Sequence, residues 1–115
     1  MQYSLLIYQT DSQFAARTDP ARLEANNAAF GRFVGALHEA GVLVTTLGID
    51  PPETSATVRA GDTRSGPYAD TKEQLGGVCV IEAPDLDTAV AWARRAPFDH
   101  CGPVEVRPTR VVSAT

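Results

Sequence analysis

Val78-Cys79-Val80-Ile81-Glu82 is followed, after Ala83-Pro84, by Asp85-Leu86-Asp87-Thr88-Ala89-Val90-Ala91-Trp92-Ala93-Arg94-Arg95. Four apolar residues in a row, three of them β-branched, read as a strand that is covered on both faces. Asp85 then supplies an N-cap, and Leu86, Ala89, Val90 and Ala93 recur at helical spacing. Arg94 and Arg95 fall at the negative end of that helix, where cations are favoured. A buried strand leading into an amphipathic helix is half of a two-layer α+β unit, and the rest of the chain supplies the other half.

Upstream, Tyr3 to Gln9 reads as a strand and Thr10 to Thr18 as a polar, mobile connection. Asp19-Pro20 reads as an N-cap with proline in the first turn. Leu23, Phe30, Phe33, Val34 and Leu37 mark one face of a long helix that Gly41 stops. Val42 to Leu47 is a second strand, Gly48 to Glu53 a proline-marked loop, and Thr54 to Ala60 a third strand before the Gly61-Asp62 turn. Asp70 or Thr71, with Glu73 or Gln74 three residues on, suggests a capping box for a short helical turn that Gly76-Gly77 would end. Downstream, Val104 to Val111 reads as a last strand. The order β-α-β-β-β-α-β, over a single domain at residues 1–115, is that of a ferredoxin-like two-layer sandwich.

Leu5, Leu6 and Ile7, and Val42, Leu43 and Val44, repeat the pattern of Val78 to Ile81. Two helices cover one face of a sheet, so the other face of these strands calls for its own cover. A second copy of the same sheet supplies it most simply, which predicts a homodimer; the alternative is that the long loops fold over it.

Bulk properties narrow the classes. A length of 115 residues accommodates one core, and a hydrophobic share of 43% with 21% charged residues is that of a folded chain. The net charge of −4 argues against nucleic acid and acidic membranes as partners. No apolar run approaches a membrane span, and no signal peptide is read at Met1-Gln2-Tyr3. Two cysteines are too few for a disulfide framework, so a cytoplasmic protein is expected.

Gly66-Pro67-Tyr68-Ala69-Asp70-Thr71-Lys72-Glu73-Gln74-Leu75-Gly76-Gly77 resembles the signature run of the DGPF-type branch of YCII-related proteins. Tyr3 to Tyr8, Pro84 to Asp87 with Ala91-Trp92, and Gly102 to Pro108 agree with that resemblance. It implies the dimeric α+β barrel fold, in which two ferredoxin-like sheets pack face to face. On activity it implies a range. The wider superfamily holds dehydrochlorinases, muconolactone isomerases and cofactor-free monooxygenases acting on small cyclic or aromatic compounds. Some members of the branch are encoded beside alternative sigma factors. A His in the first helix and an Asp after the second, proposed as a catalytic pair in some YCII relatives, correspond here to Phe30 and Ala96. Ser65 and Tyr68 stand where that signature has Asp and Phe.

Several side chains are candidates for chemistry. His100 beside Asp99, in the loop before the last strand, could move protons near neutral pH. Tyr68 adds a phenol to the Gly-Pro turn. Lys72 could hold an anionic substrate, and Glu73 could act as a base if buried. These are set against plainer roles: a solvated loop pair, a packed ring, an ion pair with capping. Arg107 shares a face with Glu105 and could grip a carboxylate or simply pair across the sheet. Asn26 and Asn27 interrupt the apolar stripe of the long helix, and one of them should face inward, either as the polar floor of a cavity or in a hydrogen bond between helices. Tyr8 could line the same cavity. His38, near the helix end, reads as structural. Cys79 reads as an inert core residue, and Cys101, although beside His100, has nothing to orient it as a nucleophile.

The sequence gives no metal-ligand spacing and no cofactor motif, so none is expected. Three readings follow from the resemblance. The first is a cofactor-independent isomerase or lyase using acid–base groups in the barrel cleft, with His100, Tyr68 and Lys72 converging on one pocket. The second is a non-catalytic small-molecule binder or accessory protein of a sigma-factor system. The third is a relative of the cofactor-free monooxygenases.

Overall fold

The structure, a computed structural model, describes residues 1–114. Strand β1 (Gln2–Gln9) lies in the middle of a four-stranded sheet with β5 (Gln74–Glu82) on one side and β6 (Val104–Pro108) on the other. Strand β2 (Leu43–Gly48) borders β5, which gives the order β2-β5-β1-β6 with every pairing antiparallel. Helices α2 (Leu23–Glu39) and α3 (Leu86–Ala93) cover one face. This is the ferredoxin-like α+β sandwich, the protomer fold of the dimeric α+β barrel class.

Period-two alternation decides what each face holds. Tyr3, Leu5, Ile7 and Gln9 of β1 are buried toward the helices, and Cys79 and Ile81 of β5 lie opposite Leu5 and Tyr3 in the register. Phe33 and Leu37 of α2, with Ala89 and Ala93 of α3, close this core. The opposite face carries Leu6 across from Val78, and Val78 in turn across from Leu47, with Ser4 and Thr45 flanking Val80. Leu47 is 60% exposed there. Among the described residues of one chain nothing covers this apolar face.

Several boundaries depart from the expectations. Thr10 to Thr18 is not a mobile connection. Residues Asp11–Ala15 form a short helix, α1, because Thr10 and Gln13 close a reciprocal capping box at 3.3 and 2.9 Å. The long helix starts at Leu23, since Asp19 is spent on the turn before it, where it accepts from the Ala21 amide and the Arg22 guanidinium. Between Pro51 and Gly66 the chain makes a 3-10 turn at Pro52–Thr54 and then a hairpin of β3 (Ala56–Arg59) and β4 (Asp62–Ser65). Ala60 and Gly61, both at positive φ, form the tip.

These two strands pair with each other and not with the main sheet, so the predicted third strand stands off the body. The radius of gyration, 15.3 Å, reflects that arm, since a compact chain this long would have about 13 Å. No helical turn forms at Asp70 to Gln74. The Gln74 amide donates to the carbonyls of Ala69 and Thr71 instead, and β5 continues through Gly76-Gly77, where its register with β1 shifts by one residue at Gly76. The last strand ends at Pro108, which leaves Arg110 and Val111 outside it.

Candidate functional site

Asn26, Ala29, Phe33 and Leu37 are the buried residues of α2, one stripe at helical spacing. Asn26 therefore occupies a place where an apolar side chain would belong. Beneath it, between α2 and the β1-β5-β2 part of the sheet, lies a cavity of about 330 Å³. Its walls are mostly apolar, from Ile7, Phe30, Phe33, Val34 and Cys79, and its polar groups come from Gln9, Arg17, Asn26, Asn27 and Thr46. A concave, mainly apolar space with a few converging polar groups is the usual form of a small-molecule site.

The polar groups are held differently. Arg17 donates from Nη1 to the Ile49 carbonyl at 2.6 Å, and from Nη2 to Gln9 Oε1 at 2.6 Å and the Gly76 carbonyl at 2.7 Å. Its guanidinium also lies over the Phe14 ring, 4.8 Å from the centroid. Burial lowers its pKa and the charge of Asp50 raises it, so the group remains a cation. Gln9, 2% exposed, passes the network on by donating from Nε2 to the His100 carbonyl at 3.1 Å. The Thr46 hydroxyl and the Cys79 thiol share a hydrogen at 3.2 Å. Burial pushes the Cys79 pKa up, against a smaller opposing effect of Thr46.

Asn26 is the exception. The residue is 4% exposed, it lines the cavity, and its Oδ1 is buried with no hydrogen-bond partner among the described residues. A buried amide oxygen without a partner costs about 1–3 kcal/mol. Folded proteins leave few such groups unpaired, and a ligand, an ion or an ordered water is the usual partner.

The side chains expected to carry chemistry are spread over the molecule. His100 is half-buried in a different cleft, on the outer side of the loop that follows α3, and Asp99 lines that cleft with it. Tyr68 is 67% exposed beside the β3–β4 hairpin, with the Arg59 guanidinium 5.9 Å from its ring. Lys72 is exposed in the segment before β5. His100, Tyr68 and Lys72 thus do not converge on one pocket. Glu73 is exposed too, and its carboxylate lies against the backbone at Gly102.

Tyr8 and Arg107 sit on the uncovered sheet face, both bonded to Glu105: the Tyr8 hydroxyl to Oε1 at 3.3 Å, and Arg107 Nε to Oε2 at 2.5 Å. Tyr8 therefore does not line the cavity, which is on the helix side. Arg107 holds the Glu105 carboxyl below the usual carboxylate range, with a smaller contribution from Tyr8. Asn27 is exposed at the rim of the cavity, while its neighbour Asn26 is the inward-facing one. His38 is exposed near the end of α2, and Cys101 is buried, its thiol pushed up to about 11 by burial.

Gln9 and Arg17 are not among the site residues expected from the sequence. A signal for Gln9 exists, since it falls in phase with Leu5 and Ile7 and so must face the helices. Arg17, in a polar stretch, carries none. Among the described residues no group of three or more His, Cys, Asp or Glu is placed to hold a metal ion. No described helix is long and apolar enough to cross a membrane.

Comparison with known proteins assigns the chain to a family. An uncharacterised protein of Rhizobium meliloti is 34% identical over 117 residues, covering 94% of this chain and 91% of the relative. Among solved structures, the 5-chloro-2-hydroxyhydroquinone dehydrochlorinase of Burkholderia phenoliruptrix, in complex with 2,5-dihydroxybenzoquinone, matches with a TM-score of 0.56 at 14% identity. That alignment covers 96% of this chain and 94% of the other. At that identity the likeness is one of fold. The YCII-related domain matches residues 1–113, and the chain belongs to that family.

Proposed function

We propose that this protein binds a small ring compound, neutral or singly anionic, in the cavity beneath α2. The unpartnered Asn26 oxygen carries the reading. It is a buried acceptor facing a cavity of about 330 Å³, and a ligand hydroxyl or N–H would satisfy it. Phe30 and Phe33 offer ring faces, and Arg17 is a cation without a carboxylate in the cavity wall, so a cationic ligand is disfavoured. The volume, near the lower end of the range of about 300–1,000 Å³ for ligand pockets, suits one ring better than a polycycle.

This reading moves the ligand from a cleft between two sheets to the helix side of one sheet. The homodimer stays part of it, with the uncovered face of Leu6, Leu47, Val78 and Val80 as the surface that a second copy covers. Two free, buried cysteines fit a reducing, cytoplasmic setting.

A second reading, an isomerase or lyase, draws on the fold shared with a dehydrochlorinase and on one contact. The cavity wall has no imidazole or carboxylate among the described residues. However, Gln9 ties it to the backbone of His100, whose ring could act with Asp99 as an acid–base pair if the loop turned inward.

Ligand-observed NMR with a panel of phenols, benzoates and lactones tests the binding reading. At least one class should bind saturably and lose about tenfold or more in affinity with Asn26→Leu. Failure of every class to bind, or equal binding by the variant, overturns it. Turnover of a bound compound that is lost with His100→Gln would favour the second reading.

A further inference from the structure

Phe33 has a second cavity on its other flank. This cleft, of about 310 Å³, opens between α2 and the segment that follows α3. Ala29, Phe33 and Ala36 line it from the helix, and Arg32, Arg95, Asp99 and His100 surround it. On a chain of net charge −4, two arginines and an imidazole around one carboxylate invert the local sign. Neither arginine has a carboxylate partner within ion-pair distance among the described residues. Arg95 is oriented instead by the indole of Trp92, over which its guanidinium lies 4.7 Å from the ring centroid. The two alanines keep the helix surface low, which leaves room above the Phe33 ring.

We propose that this cleft is a binding site for a small organic oxyanion. Its carboxylate or phosphate group sits between the guanidinium forks of Arg32 and Arg95, within reach of His100, and its apolar part rests on Phe33. Guanidinium is suited to such planar, two-pronged contacts with oxyanions. Asp99 is exposed and stays with solvent when the anion is bound. The proposal is independent of what the cavity beneath α2 binds.

Trp92 is the only tryptophan of the chain and touches one of the two arginines, so the site carries its own reporter. Intact protein labelled with 15N is titrated with inorganic phosphate and, separately, with benzoate, at ionic strength held constant with sodium chloride. The amides of Arg32, Ala36, Arg95 and His100 should shift along one saturable curve, with a matching change in Trp92 fluorescence. Tighter binding of benzoate marks a carboxylate ligand with apolar contact, and tighter binding of phosphate marks a phosphorylated one. Arg32→Gln, an exposed change away from the core, should weaken binding about tenfold, whereas Asn26→Leu should leave it unchanged. Shifts that stay linear with both anions overturn the proposal. So do curves that are unaltered in Arg32→Gln and Arg95→Gln, or shifts abolished by Asn26→Leu.

Discussion

Arg17 reaches across the chain to Gln9, Nη2 to Oε1 at 2.6 Å, and the two side chains together hold the open end of the α2 cavity. Gly76 is the third member of this arrangement. Its carbonyl accepts from Arg17 at 2.7 Å, and a Cβ built on it would overlap Gln9 Oε1 and lie 2.9 Å from Cδ. Because Gln9 is 2% exposed and bonded at both ends, it cannot swing aside. Gly76→Ala should therefore destabilise the fold by about 1–3 kcal/mol. Gly35→Ala, in mid-helix with nothing within 4 Å of the added methyl, should instead stabilise it by up to about 1 kcal/mol. Urea denaturation of the pair checks both signs.

Replacing Asn26 separates stability from binding. A leucine there would continue the stripe of Ala29, Phe33 and Leu37 and remove an unpaired buried oxygen. Asn26→Leu should thus be neutral or stabilising, by up to about 2 kcal/mol, and should lose the ring ligand. A thermal melt with and without ligand reads both effects. Marked destabilisation by Asn26→Leu would mean that the amide has structural partners in solution, and would remove the reason for assigning it to a ligand.

These positions show how far the sequence was legible. The apolar, β-branched runs in Tyr3 to Gln9 and in Val78 to Ile81, and the stripe from Leu23 to Leu37, mark the sheet and its helices, because pattern and burial are coupled directly. The expected inward-facing asparagine was found by the same logic. What eluded it depends on contacts distant in sequence. Arg17 meets Gly76 across fifty-nine positions, and no local pattern marks either. The region Asp70 to Gln74 has the residues of a capping box, yet the Gln74 amide satisfies Ala69 and Thr71, and no helix is nucleated. His100 and Tyr68 looked alike as loop residues, and only packing separates a half-buried cleft from an exposed hairpin flank.

Acid should loosen the fold through three carboxyls held below their ordinary range. Asp19 is lowered by the Arg22 guanidinium and then the Ala21 amide, Asp85 by the Thr88 hydroxyl and amide, and Glu105 chiefly by Arg107. A folded-state pKa below the unfolded one adds stability above the unfolded value, and that stability is lost as pH falls through the folded value. The urea midpoint should therefore decline below about pH 4, where unfolded carboxyls begin to protonate. Asp19→Asn combined with Asp85→Asn should make that acid limb shallower, since asparagine keeps the Asp85 cap, still offers an acceptor to the Ala21 amide at position 19, and does not titrate. An unchanged limb would assign the acid sensitivity to other groups.

Neither thiol should behave as a nucleophile. With a pKa of about 11, Cys101 would be thiolate to about one part in a thousand at pH 8. Burial raises the Cys79 pKa as well. Iodoacetamide at pH 8 should leave both unlabelled in the native protein during a time that labels both in urea, as mass spectrometry would show. Prompt native labelling of Cys101 would contradict its burial beside His100, whereas labelling of Cys79 alone, suppressed by a ring compound, would report an open cavity.

The last prediction concerns the uncovered face of the sheet. Leu6 faces Val78, Val78 faces Leu47, and Val80 lies between Ser4 and Thr45, so the apolar patch crosses three strands. A patch that size is normally covered, and pairing of two identical sheets covers it without any new element. Light scattering on the full chain should therefore give twice the mass of one chain at micromolar concentration. Leu47→Glu changes a residue already 60% exposed, so the protomer should fold, as circular dichroism would verify, yet dissociate. Val78→Asp, at the centre of the patch between Leu6 and Leu47, should dissociate more completely. The wild-type melting temperature should rise with protein concentration and that of the variants should not, because association adds stability by mass action. A monomeric wild type, or a variant that remains dimeric, would place the contact between copies elsewhere or nowhere.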